Sequence, residues 1–291
     1  MSALNVITHW LQKIDGTSLM LLASAVVLAV TWIAHRCRRF WSDLAFESCF
    51  ANLLMILMNG ALAPLFAILV GCAEAFYGRL PIPHLDPAIW QGFPVWILMG
   101  LVLLAIDFSD YWNHRLMHYS RWLWPIHAIH HSDPHPTVLT TGRVHLLEPF
   151  VMQMSYLILL TWLSLPFEVL GGIAGLRILH NMYTHMDLDW DHGPLRYLIA
   201  SPRFHRWHHA DEPAAYGKNL ANIFPFLDVI FGTYYVPGTC RAEMGARRVP
   251  TRAMDMVAWP ILEWNRLIKR RLHKRKQSNN TQAMATNTST V

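Results

Sequence analysis

Four stretches of this chain carry no charged residue over roughly the length of a bilayer: Thr17–Ala34, Cys49–Ala73, Pro87–Ile106 and Pro149–Phe167. A helix needs about 20 residues to cross a hydrocarbon core of about 30 Å, so each run predicts a membrane-embedded helix. Thr17–Ala34 lies too far into the chain, and lacks the small-residue cleavage pattern, to be a removable signal peptide. Behind the third run comes HRLMHYSRWLWPIHAIHH, residues 114–131, five of whose eighteen residues are histidine.

Composition agrees with a membrane protein: 53% of the 291 residues are hydrophobic and 15% charged, where a soluble domain carries about a quarter charged. The net charge of +5 is uneven. Arg36, Arg38 and Arg39 follow the first run, and RLIKRRLHKRK (Arg266–Lys276) is densely basic, whereas the 74–86 loop holds only Glu74, Arg79 and Asp86. The positive-inside rule therefore puts the end of the first span and the C-terminus in the cytoplasm and the 74–86 loop outside. The third span then delivers His114 to the cytoplasmic face, of a bacterial inner membrane or an endoplasmic reticulum. Beside a membrane the basic tail predicts contact with anionic lipid headgroups and not with nucleic acid. Ile261, Leu262, Trp264, Leu267, Ile268 and Leu272 gather on one side of such a helix, leaving a basic opposite side. The final QSNNTQAMATNTSTV predicts disorder. Cys37, Cys49, Cys72 and Cys240 show no paired spacing, so neither a disulfide framework nor a thiolate zinc site is expected.

Thirteen of the seventeen histidines fall between His114 and His209. His114 and His118 are four apart and share one helical face. His127, His130 and His131 stand at i, i+3 and i+4, and His205, His208 and His209 repeat that spacing. So many polar rings beside a bilayer cost free energy unless each has a partner, and metal supplies partners. Eight nitrogens exceed what one ion takes and suit two. An all-imidazole set fits iron, zinc, copper or nickel without choosing among them.

The boxes HRLMH, HAIHH and HRWHH, in that order, resemble the fatty acid hydroxylase superfamily, which includes sterol desaturases. The flanks DFSDYWNHRLMH, HHSDPHPTVLTTGRVHLLE, SPRFHRWHH and FLDVIFGTYY resemble its sterol-desaturase-like branch. The resemblance covers roughly residues 95–236. It implies an all-helical membrane oxygenase with a histidine-bound di-iron centre, hydroxylating or desaturating a C–H bond of a sterol, fatty acyl or ether lipid with O₂. External electrons would come from a separate donor (a reductase, cytochrome b5 or ferredoxin). The family pattern places metal ligands at His114, His118, His127, His130, His131, His205, His208 and His209. It adds His185, eight residues before Gly193, and His145 in RVHLLE, as a ligand or a group that orients one. His180 can join only if its helix is irregular before His185. His135 and His192 sit in loop contexts, and His9, His35, His84 and His273 lie outside the cluster. Carboxylates expected to orient the ligand rings are Asp110, Glu148 and Asp228, with Asp133, Asp187 and Asp211 within loop reach. Asn219 and Asp228 match a family stretch without an evident chemical role.

For the boxes to meet on one membrane face, the chain between His145 and His185 must cross an even number of times. A short hairpin turning near Pro166 and Glu168 meets that condition. The expected fold is all-α: a polytopic membrane protein with about three full transmembrane helices, a membrane-dipping helical hairpin and a cytosolic histidine-rich helical metal-binding region. It divides into an N-terminal transmembrane region (1–94), a catalytic domain (95–236), a basic membrane-surface segment (237–276) and a disordered tail (277–291). The competing functions are a dimetal zinc hydrolase, which needs no electrons, and a histidine-rich metal-binding or transport protein. The residues leave the oligomeric state open.

Overall fold

Uninterrupted apolar sequence gives the chain its two longest membrane-type helices. The computed structural model describes residues 43–165 and 170–288. The expected first span, Thr17–Ala34, the arginines behind it and the turn at Pro166 and Glu168 lie outside the described residues. Helix α1 runs Asp43–Tyr77, with Pro64 inside it. Helix α2 runs Val95–Tyr119. Among the described residues these two are long and apolar enough to cross a membrane, and their outer faces expose Leu57, Ile68, Phe76, Trp96 and Met99.

The second of these helices is displaced from its expected bounds. Pro87–Trp90 is a 3₁₀ turn whose Asp86 side chain caps the N–H of Ala88. Gly92 at φ +85° and Pro94 then reset the chain, so α2 starts at Val95 and not at Pro87. The helix also continues past Ile106 through the polar DFSDYWNHRLMHY, because protein surrounds that end: Asp107, Asp110, Asn113 and His114 are all buried.

Helices α3 (Glu148–Leu163) and α4 (Leu170–Thr184) pack beside α2. Leu98, Val102 and Ile106 of α2 meet Leu160 of α3 and Ile173 of α4. At 16 and 15 residues, each is shorter than the roughly 20 a full span takes. Yet α3 reaches the far end of α2, where the Leu163 carbonyl accepts from Trp90 Nε1 at 2.8 Å. The start of α3 and the end of α4 return to the histidines at the near end. There lie α5 (Pro202–His209), capped by the Ser201 hydroxyl, and α6 (Ala253–Thr288). No strand forms among the described residues; Ala210 and Met244 make one isolated bridge. Helix α6 docks on α1 through Ala253 and Met256 against Ala51 and Met55. It continues through Gln277–Thr288, a stretch whose composition predicts disorder but which contains no glycine or proline to stop a helix.

A buried polar network ties α1 to the histidine region. Asp133, two residues after His131, accepts from Ser48 Oγ at 2.6 Å, Asn52 Nδ2 at 2.9 Å and Thr140 Oγ1 at 2.7 Å. Asn52 Oδ1 in turn accepts from the fully buried Arg143, whose Nε donates to Ser132 Oγ. Burial alone would push the Asp133 carboxyl up, but the Arg143 guanidinium and these three hydrogen bonds hold it below the usual carboxylate range. Asn52 thus joins a buried cation to a buried anion, and both lose a partner if it is removed. Asn52→Leu should cost about 3 kcal/mol of stability, read as a lowered thermal midpoint in detergent, whereas Leu57→Ala on the exposed face of α1 should shift it little.

Candidate metal centre

The last two turns of α2 present His114 and His118 from one face, as their i, i+4 spacing requires. Around them the structure gathers two groups of imidazoles. His114, His118, His127, His131 and His208 form one, and His130, His185, His205 and His209 the other; within each, ligand atoms lie within 4.8 Å of one another. Each HxxHH box serves both groups. His127 and His131 (i, i+4) enter the first group and His130 the second, while His205 and His209 enter the second and His208 the first. Residues four apart point the same way on a helix and the i+3 residue is rotated off that direction, so one box can feed two ions. HAIHH achieves this on an irregular stretch, a single α-turn Trp124–His127 followed by a 3₁₀ turn His130–Ser132.

The rings are aimed from behind. Nδ1 of His114 donates to the Leu220 carbonyl at 2.7 Å, Nδ1 of His208 to Lys218 at 2.8 Å and Nδ1 of His185 to Asn181 at 2.7 Å. Nδ1 of His127 donates to Glu148 Oε1 at 2.8 Å. A carbonyl only accepts, so Nδ1 carries the proton in His114, His208 and His185 and Nε2 offers its lone pair inward. The inward atoms are close: His114 to His127 2.9 Å, His130 to His185 3.2 Å, His185 to His205 2.9 Å and His205 to His209 3.0 Å, all between Nε2 atoms. With metal–nitrogen bonds of about 2.1 Å, ligands at right angles sit about 3.0 Å apart and tetrahedral ones about 3.4 Å. Nε2 of His118 and of His208 are buried with no hydrogen-bond partner. Inward lone pairs at ligand spacing, two of them orphaned, fit a metal ion in each group.

Burial holds His127, His130, His131, His205, His208 and His209 well below the ordinary imidazole range, with neighbouring imidazoles adding to it. His185 is lowered to about 4, chiefly by burial. The rings are therefore neutral, the form that binds metal.

Two of the expected orienting carboxylates reach ligands. Glu148, first residue of α3, contacts His127 directly. Asp228 acts one step removed: Oδ1 and Oδ2 accept from the N–H groups of Leu220 and Ala221, fixing the peptide whose carbonyl holds His114. Asp110, expected on the His114 face, is instead paired with Arg177 of α4 and Tyr156 of α3 and accepts from Asn222 Nδ2 at 2.9 Å. It ties three helices together and touches no ligand ring, since a buried carboxylate is drawn to the nearest cation. His145 joins neither group: its Nε2 faces the Val257 carbonyl at 3.2 Å and its Nδ1 accepts from the Leu147 N–H. His180 is also outside both, whereas His185 enters, because the ring directly after α4's last residue, Thr184, faces the centre and the ring five earlier does not. His192 lies between the Tyr183 hydroxyl and the Ile199 carbonyl, and His135 is exposed. Asp187 and Asp211 pair with Arg206 and Arg247 at the surface.

Asp107 and Asn219 matter in ways the sequence does not reveal. Asp107 accepts from three successive backbone N–H groups, Asn222, Ile223 and Phe224, anchoring the loop to α2. Asn219 sits at φ +55°, donates to the carbonyls of Phe204 and Tyr235 and accepts from the Tyr235 N–H. That left-handed residue stands between the two carbonyls, 218 and 220, that hold His208 and His114. An apolar run with a single Asp was the one available signal for Asp107.

Asn219→Ala and Glu148→Ala should each lower metal affinity about 10- to 100-fold, by elemental analysis after graded chelation, while His145→Ala keeps full metal content. Stability and metal retention should be full above the unfolded imidazole pKa of about 6.5 and fall as pH drops below it, because the unfolded chain takes up protons that the buried rings refuse. A thermal-midpoint profile that instead fell as pH rose from 6.5 to 8 would contradict the neutral-ring assignment.

Residues 99–233 match the family model for fatty acid hydroxylase. Over 158 residues the chain is 34% identical to the ornithine lipid hydroxylase OlsE of Rhizobium tropici, covering 53% of this chain and 46% of that protein. It is 32% identical over 145 residues to the alkylglycerol monooxygenase of Danio rerio, covering 50% and 31%. A putative methylsterol monooxygenase of Dictyostelium discoideum is 30% identical over 159 residues, covering 53% and 55%. The chain thus spans about half the length of these relatives or less. No solved structure matches it significantly. All nine clustered histidines lie inside residues 99–233, the stretch that matches the fatty acid hydroxylase family.

Proposed function

We propose that the chain is an O₂-dependent lipid hydroxylase or desaturase with one iron ion in each histidine group. The observation that carries this reading is a dinuclear, all-imidazole centre at the mouth of apolar helices. Five imidazoles in the first group exceed the four ligands that zinc takes, which favours a metal of higher coordination over a zinc hydrolase. Metal transport is disfavoured because seven of the nine rings lie beyond the two spans, on short turns, on α5 and just past α4. The names of the relatives support a lipid substrate.

When bound, iron supplies the O₂-dependent oxidation of an unactivated C–H bond. The chain's residues do the rest. Nine clustered imidazoles would hold the ions without adding a titrating proton, and Glu148, Lys218 and Leu220 fix the rings so that the geometry is set before the substrate arrives. Helices α2, α3 and α4 present apolar surface on the lipid side, from which a lipid chain approaches while water is kept out. With the first span, α1 and α2 give three crossings, and α3–α4 form a membrane-inserted hairpin whose two ends both return to the centre on the cytoplasmic face. Along α6, Met254, Ile261, Ile268 and Leu272 form an exposed apolar stripe that lies on the same membrane surface. A separate carrier protein delivers the electrons.

Protein purified from iron-supplemented cells should hold two metal ions per chain and consume O₂ with a reductant and membrane lipid extract, yielding a product heavier by one oxygen or lighter by two hydrogens. Full activity on a lipid with zinc alone and no reductant would instead make it a hydrolase. Neutralising Lys269, Lys274, Arg275 and Lys276 should weaken binding of a 250–291 peptide to anionic liposomes by about two to three orders of magnitude in Kd, at about 1 kcal/mol per basic side chain near the surface; equal binding of both peptides removes the surface role of α6.

A further inference from the structure

On the side of α6 opposite its apolar stripe the structure holds a cleft of about 590 Å³. Trp259, Glu263, Arg266 and Arg270 line it from α6, while Ile261, Ile268 and Leu272 are exposed on the other face. Position 263 follows 261 by two residues, a rotation of about 200° on a helix, so the two faces point opposite ways. Arg121 and Trp124 close the cleft from the segment after α2, and Arg247 and Arg248 from the loop before α6.

Five guanidinium groups therefore converge on one cleft against a single lining carboxylate, Glu263. Glu263 pairs with Arg266, which also lies over the Trp259 ring at 5.5 Å, and Arg247 pairs with Asp211. Arg121, Arg248 and Arg270 make no ion pair among the described residues. Like charges gathered this way repel each other unless an anionic partner arrives, and Arg suits carboxylates held in pairs. The cleft is also fastened in place, since Trp264 Nε1 donates to the Trp122 carbonyl at 2.8 Å across α6 and the 120–124 segment.

The floor of the cleft touches the metal centre. The Trp124 ring lies 5.2 Å from that of His118 and 5.6 Å from that of His131, centroid to centroid, both in the five-histidine group. One aromatic side chain thus spans the distance from the arginines to the ligands.

We propose that this arginine cleft is the docking site of an acidic one-electron carrier protein, and that Trp124 is the contact through which its electrons reach the five-histidine group. The inference rests on the oxygenase reading above. Hydroxylation converts a C–H bond, O₂, two electrons and two protons into C–OH and water. The carrier is oxidised by one electron at each encounter, so two encounters supply the pair. A lipid headgroup is the less suited occupant, because the cleft opens on the face of α6 turned away from its apolar stripe. An electrostatic site of this kind should speed association and weaken as salt rises.

The test uses the full chain in phosphatidylcholine nanodiscs with two soluble acidic carriers, a [2Fe–2S] ferredoxin and the haem domain of cytochrome b5. Binding is followed at low and high ionic strength, and metal content is measured on the same samples. At least one carrier should bind, and its Kd should rise about tenfold or more between 50 and 500 mM salt. The triple variant Arg121→Glu, Arg248→Glu and Arg270→Glu should lose at least tenfold in affinity with unchanged metal content. If that variant fails to fold, Arg248→Gln with Arg270→Gln should still weaken binding severalfold. At saturating carrier, Trp124→Leu should keep its metal content yet slow anaerobic reduction of the loaded centre at least tenfold by the reduced carrier and not by dithionite. The proposal is overturned if neither carrier binds, if charge reversal leaves binding intact, or if reversal abolishes binding of phosphatidylglycerol nanodiscs or inorganic phosphate but not of a carrier. Because binding and metal content are read without turnover, these outcomes are separate from any failure to oxidise a lipid.

Discussion

Nine clustered imidazoles, eight buried and His118 partly so, must stay neutral while their ligand atoms lie within 4.8 Å of one another in each group, and the rest of the architecture serves that constraint. A buried ring in such a group cannot rely on solvent, so a fixed acceptor at Nδ1 sets its tautomer and aims its Nε2 lone pair inward. For four of the rings the partners are main-chain carbonyls, at Asn181, Lys218 and Leu220, and Glu148, the one carboxyl among the described residues that touches a clustered ring. Carbonyl acceptors leave the net charge of the centre to the metal. They also demand backbone held in one conformation.

That demand explains the segment between Lys218 and Tyr235, which carries no ligand of its own. Asn219 adopts a left-handed conformation and bonds to Phe204 and Tyr235, linking the ligand-bearing α5 to the returning chain. Asp228 fixes the next two peptides and Asp107 the three that follow. Both side chains are buried and accept from backbone N–H groups, so they serve to position the loop. A loop stapled at both ends can act as a rigid wall, and two of the five ligands of the first group lean on it.

The membrane-type helices meet this polar region at their ends. α1 supplies Ser48 and Asn52 to Asp133, and α2 supplies Asp107, Asp110, His114 and His118. Polar side chains in an otherwise apolar helix are costly in lipid and are retained where protein surrounds them. The same ends that leave the apolar layer therefore build the centre. The pairing of Asp110 with Arg177 and Tyr156 holds α3 and α4 against α2 just beyond the ligands.

How much of this was legible beforehand divides along physical lines. Helical class, the two apolar helices and eight of the nine clustered histidines follow from local patterns: length without charge, and i, i+3, i+4 spacing, which act within a few residues of chain. His185 came from resemblance, and the structure sets it beside His130 and His205. Which ring belongs to which group was not legible, because the two HxxHH boxes are identical in spacing and only their opposed placement in space assigns five rings to one group and four to the other. The roles of Asp110, Asp228, Asn219 and His145 were equally out of reach. Each depends on a partner more than a helical turn away in sequence (Arg177, Leu220, Phe204 and Val257), and such partners are chosen by packing, where a buried polar group takes whichever donor or acceptor the fold brings to it.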